Sequence, residues 1–63
     1  MSDLLTEAEV SEWTRTPVGT LRYWRHVGDK GPRWFKLGRR VVYKREDVTG
    51  WLDAQYASAG RSA

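Results

Sequence analysis

Apolar positions recur along this chain in two rhythms, and the change from one to the other marks out its elements. Leu5 and Val10 flank Thr6-Glu7-Ala8-Glu9, and Thr6 with Glu9 has the spacing of a capping box, so a first helix is expected from about Glu7 to Trp13. Leu5 would staple against Val10, and Val10, Trp13 and Thr14 would form its core side. In Thr16 to Gly28 the spacing is again helical, with Leu21 and Trp24 on one face. Thr16 is expected to cap this second helix, Pro17 to occupy its first turn and Gly28 to close it. Two helices joined by about three residues make a helix-turn-helix. Glycine is frequent in such a tight turn, and here Arg15 occupies it.

The period then drops to two. Phe35 and Leu37 alternate with Lys36, and Val41 and Tyr43 alternate with Val42 and Lys44, around Gly38-Arg39-Arg40. That reads as a two-stranded hairpin with Phe35, Leu37, Val41 and Tyr43 on one face and Arg39 and Arg40 at its tip. Acids at Glu46 and Asp47 suit the start of a third helix, and Val48, Trp51, Leu52 and Tyr56 give its stripe. Gly50 lies inside this helix, where it costs about 1 kcal/mol relative to alanine. Residues 1–57 then form one domain, and 58–63 a small, polar, frayed tail. The expected class is α+β: two N-terminal helices, a two-stranded β-hairpin and a C-terminal helix.

Size and composition sharpen this outline. A chain of 63 residues buries only about 60% of the surface that its unfolded form exposes. Four Trp, three Tyr and one Phe partly offset that shortage. With no cysteine there is neither a disulfide framework nor a thiolate metal site, which fits a reducing cytoplasm. No apolar run approaches the ~18 residues of a membrane span, so no membrane partner is expected. The N-terminus lacks the basic region of a signal peptide.

Charge changes the picture most. The net charge is only +3, but 10 of the 11 basic residues lie between Arg15 and Arg45, with Asp29 the one acid among them. The first 14 residues carry Asp3, Glu7, Glu9 and Glu12 and no basic residue. A basic middle between acidic flanks is the electrostatic footprint of a polyanion binder. Arg22, Arg25 and His26 share a helix face, with Val18, Gly19 and Tyr23 near it, as a helix entering a major groove requires. The hairpin, with adjacent arginines at its tip, has the character of a DNA-binding wing.

Enzyme chemistry finds little support. There is one His and no Cys, the acids lie on separate elements, and Gly28-x-x-Gly31 lacks the Lys-Ser/Thr of a phosphate loop. No catalytic group, metal or cofactor is expected.

Four segments in order carry a resemblance: Leu4-Leu5-Thr6-x-x-Glu9-Val10, Thr20-Leu21-Arg22-Tyr23-Trp24, Lys36-Leu37-Gly38-Arg39, and Arg45-Glu46-Asp47-Val48-x-x-Trp51-Leu52. Together they resemble the small MerR-like winged-helix DNA-binding proteins, the group that includes phage excisionases. The resemblance implies a winged helix-turn-helix that binds double-stranded DNA in the cytoplasm of a bacterial host. It further implies cooperative binding to adjacent sites, DNA bending, and direction of a partner integrase towards excision. Val18, Gly19, Arg22, Tyr23, Arg25 and His26 would line the recognition helix, and Lys36, Arg39 and Arg40 the wing. Arg15, Thr16, Arg33 and Lys44 would hold the DNA backbone. Self-association on DNA is expected head to tail, an acidic face meeting a basic flank, with Trp34 and Tyr56 as exposed aromatics. A small MerR-like transcriptional regulator is the alternative reading, and a protein-interaction module whose basic face takes an acidic partner is the third.

Overall fold

The computed structural model describes residues 3–61. The chain runs β1 (Leu4–Thr6), α1 (Glu7–Thr14), α2 (Val18–Val27), β2 (Phe35–Leu37), β3 (Arg40–Lys44) and α3 (Arg45–Arg61). It is a small α+β protein with three helices and one antiparallel sheet of order β1-β3-β2.

The sheet has three strands where the alternation pattern predicts two. Leu4–Thr6 pairs with β3, Leu5 lying opposite Tyr43 and Thr6 opposite Val42. Three residues are too few to display a period of two, so this strand leaves no legible trace in the sequence. The Arg45 N–H donates to the Asp3 carbonyl at 2.7 Å and ties the start of α3 to the same edge.

The hairpin register also departs from expectation. Its loop is only Gly38-Arg39, so Leu37 stands opposite Arg40 and Phe35 opposite Val42. Residues directly opposite one another share a face. Val41 and Tyr43 therefore face the side of Leu5, whereas Phe35 and Leu37 face the other side with Arg40 and Val42. The expected single apolar face is split in two, because shortening a loop by one residue moves a whole strand to the opposite face. Gly38, with φ of +68°, occupies the first position of this two-residue turn, where a positive φ suits the strand twist.

The core is Leu5, Val10, Leu21, Tyr43 and Val48, with Trp24, Trp34, Val41 and Leu52 packed against it. Each helix contributes one fully buried residue to it, Val10, Leu21 and Val48. Trp24 and Trp51 meet with ring centroids 5.5 Å apart and planes inclined at 56°, joining α2 to α3. Trp13, expected in the core, is outside it: it is 40% exposed, with the Arg45 guanidinium 5.7 Å from its ring centroid. Tyr56 continues the stripe of α3 but is 84% exposed, as expected of an exposed aromatic. Trp34, expected at the surface, is half-buried.

The helix ends follow the sequence with one exception. Thr6 caps α1 through a complete capping box: its Oγ1 accepts from the Glu9 N–H at 3.1 Å, and the Glu9 Oε1 accepts from the Thr6 N–H at 2.8 Å. Gly28 closes α2 in the left-handed region, its N–H donating to the Trp24 carbonyl at 2.9 Å. At the start of α2, however, Pro17 and not Thr16 is the capping residue, and no side chain caps the helix. Thr16 is spent on the turn: its N–H donates to the Ser11 carbonyl, the Ser11 hydroxyl donates to its carbonyl at 2.6 Å, and its own hydroxyl donates to the Thr14 carbonyl. At the other end, α3 is helical through Arg61, further than the frayed tail expected from Ser58, while Ser62 and Ala63 lie outside the described residues.

Two glycines give opposite expectations. A Cβ at Gly50 meets nothing within 4 Å, so Gly50→Ala should raise stability by about 1 kcal/mol and the midpoint of thermal unfolding by about 4–8 °C. A Cβ at Gly31 falls 2.6 Å from the Trp24 ring, at a φ of +81°. Gly31→Ala should lower stability by about 1–3 kcal/mol, read from the same melting curves.

Candidate nucleic-acid interface

The exposed face of α2 follows from its helical period. Leu21 is 1% exposed and points inward, so residues half a turn away point out. Those are Gly19, Arg22, Tyr23 and His26, all exposed, Tyr23 at 59%. Val18 is half-buried at the start of the helix. Nothing lies within 4 Å of the position a Cβ would take at Gly19, so this turn of backbone is open to a close approach.

Arg25 is not on that face. It lies one helical turn after Leu21, and its side chain is 16% exposed. Its Nη1 donates to the Glu7 Oε2 and, at 3.2 Å, to the Tyr43 hydroxyl. Its Cζ is 5.8 Å from the Trp34 ring centroid. One guanidinium thus joins α1, α2, β3 and the segment before β2. Burial pulls its pKa down, but the hydrogen bonds and charge attraction of Tyr43 and Glu7 outweigh that, and the net shift is upward. A raised pKa contributes stability that is lost only as pH rises through the folded value, which here lies above the range of ordinary unfolding experiments. The charge is permanent, and its role is structural.

Glu7 serves two arginines. Its Oε1 lies 3.7 Å from the Nε of Arg22, whose side chain is 69% exposed. The pairing with Arg25 is sheltered from water, and that with Arg22 is open to it. Arg22 can leave Glu7 at small cost, because exposed ion pairs contribute about 0–1 kcal/mol.

The turn before α2 presents another cation. Arg15 has φ of 58° and ψ of 34°, the one non-glycine residue with positive φ in the described chain. Its N–H donates to the Ser11 carbonyl, closing α1. The geometry asks for glycine, and an arginine here carries strain in exchange for a charge at the turn. Arg33, Lys36, Arg39 and Arg40 are exposed, with Arg39 in the hairpin turn and Arg40 opening β3. Lys44 is also exposed, with its Nζ 3.6 Å from Glu46.

Most of the expected site residues are exposed, and Arg25, Thr16 and Val18 are not. Arg25 belongs to the interior network, and Thr16 to the turn. Glu7, Tyr43 and Trp34 are the partners that sequence reasoning missed. Helical phase was the available signal for Arg25, since four residues from a buried Leu21 is an inward position, whereas nothing local marks residues 18 apart as partners.

Comparison with protein-family models, with curated proteins and with solved structures finds no match. Among the described residues, no helix is long and apolar enough to cross a membrane.

The two arginines on Glu7 should separate cleanly by mutation. Arg25→Ala should cost about 1.5–3 kcal/mol in urea unfolding, the range for hydrogen bonds to charged groups. Arg22→Ala should change stability by less than about 1 kcal/mol. Arg15→Gly should stabilise by up to about 2 kcal/mol, because it removes the left-handed strain.

Proposed function

We propose that this chain is a winged-helix DNA-binding protein in which α1, the Arg15–Pro17 turn and α2 form the helix-turn-helix and β2–β3 the wing. One observation carries the reading. Between Arg15 and Lys44 every basic residue except Arg25 is exposed: Arg15, Arg22, Lys30, Arg33, Lys36, Arg39, Arg40 and Lys44. Asp29 is the single acid in that stretch, and Glu7 and Glu9 are engaged within the protein's own fold. Arg22 and Lys44 stand in exposed, loose pairs with Glu7 and Glu46, and an array of exposed cations on successive loops and edges suits a linear polyanion.

In this reading Gly19, Arg22, Tyr23 and His26 of α2 enter the major groove. Arg22 is its arginine for bidentate pairing with guanine, a contact that gives about 1–3 kcal/mol of discrimination. Arg22 stands beside Glu7 before binding, and the exchange of a carboxylate for a base or phosphate is nearly balanced in water-exposed surroundings. Arg39 and Arg40 reach the neighbouring minor groove, where a narrow A·T-rich stretch attracts arginine. Arg15, Arg33 and Lys36 hold phosphates.

One small helix-turn-helix and its wing cover a short stretch of DNA, and in this reading adjacent copies add to the specificity. We therefore propose the architectural role: a cytoplasmic, nucleoid-associated protein of a bacterial host that bends DNA and directs an integrase towards excision. Glu7 and Glu9 make contacts within the chain, so in this reading the head-to-tail contact with a neighbour's basic flank falls to exposed acids such as Glu12 and Asp53.

The test is a gel-shift titration on duplexes selected from a random pool and rebuilt with one, two and several copies of the bound sequence. With about four to six phosphates neutralised, log affinity should fall with log salt at a slope of roughly −4 to −5, and Arg39→Ala/Arg40→Ala should flatten it by about 2. A ladder that sharpens with site number supports the architectural role. A single shift independent of site number supports a simple regulator, and no retention at moderate salt removes the DNA reading. Gly19→Ala adds a separate check: it should not destabilise the fold, yet should weaken binding by obstructing the close approach.

A further inference from the structure

Leu37 is 56% exposed and Phe35 is 38% exposed, and all three residues of β2 face solvent. Both apolar side chains were expected on the face of Val41 and Tyr43. The two-residue turn sends them to the face opposite Tyr43, with Leu37 beside Arg40 and one residue from the turn. β2 is an edge strand, and among the described residues β3 alone pairs with it. The tip of the hairpin therefore consists of an exposed leucine enclosed in sequence by Lys36, Arg39 and Arg40.

Resting on the DNA-binding reading, we propose that Leu37 is a wedge: it enters the minor groove beside Arg39 and inserts between two base pairs. The charge around it selects this occupant. A second copy docking through the same tip would bring Lys36, Arg39 and Arg40 against an identical set of cations, whereas DNA brings phosphates. Apolar side chains that partly unstack a base step occur among minor-groove binders, and the arginines next to them stay with the backbone and groove floor. Pyrimidine–purine steps, TA above all, unstack most readily, so Leu37 gives the wing a sequence preference with no hydrogen bond to a base. The arginines supply affinity, and the leucine supplies the choice of step.

The experiment uses the full chain and a selected duplex carrying 2-aminopurine at a TA step under the wing, whose fluorescence rises when the base unstacks. Wild-type protein should raise it severalfold. Leu37→Ala should bind within about tenfold of wild type, since it loses the insertion contact and the cost of unstacking together, but should leave the fluorescence near that of free DNA. Leu37→Phe should restore the rise, and Arg39→Ala should lower affinity. Far-UV circular dichroism of Leu37→Ala should match wild type, because the side chain is exposed.

Tight wild-type binding with no fluorescence change, or an equal rise with Leu37→Ala, overturns the wedge and leaves DNA binding intact. Failure of every variant to bind duplex overturns both. A Leu37-dependent dimer of the free protein in sedimentation assigns the side chain to self-association and overturns the wedge.

Discussion

A charge held away from water organises this small protein. The Arg25 guanidinium lies against the Trp34 ring and bonds to Glu7 and Tyr43, so four parts of the chain converge on one group. A core of five buried side chains is thin for fixing the orientation of two short helices on a three-stranded sheet. Apolar contacts are nondirectional, and α1 and α2 could slide on such a core. A planar guanidinium with fixed donor directions cannot be satisfied by a slid arrangement. The angle at which α2 presents its outer face is set by this inward-pointing residue.

The same contact explains how a basic segment tolerates its own charge. Glu7 sits at the start of α1, where a carboxylate favours the helix dipole, and it neutralises Arg25 while standing close to Arg22. One acid of the N-terminal segment, Glu7, thus stands in space between two arginines that the sequence keeps apart from it.

Much of the architecture was legible because it is local. The capping box at Thr6, the glycine closure at Gly28 and the stripe through Val48, Trp51 and Leu52 each depend on residues within a turn or two. What was illegible depends on distance or on a single residue of register. β1 is too short to announce itself and forms because β3 offers it an edge. The hairpin's alternation was visible, but the loop could be read as two or three residues, and that choice decides which face Leu37 occupies. For the candidate site, the exposed cations were readable from composition. The inward turn of Arg25 needed the helical phase relative to Leu21, and its partners needed the fold.

The order β1-β3-β2 has a consequence for how the chain comes to be folded. The first strand, at residues 4–6, finds its partner only at residues 42–44, and the central strand is the last of the three to emerge during synthesis. Both helices and their connecting turn can form from nearby contacts, but the sheet edge beneath them must wait for a loop closure spanning most of the domain. Tyr43, the hydroxyl partner of Arg25, arrives with that strand. Until that strand pairs, the Arg25 guanidinium lacks the Tyr43 hydroxyl among its partners. The outward face of α2 is backed by all of Arg25's partners only once that strand has closed.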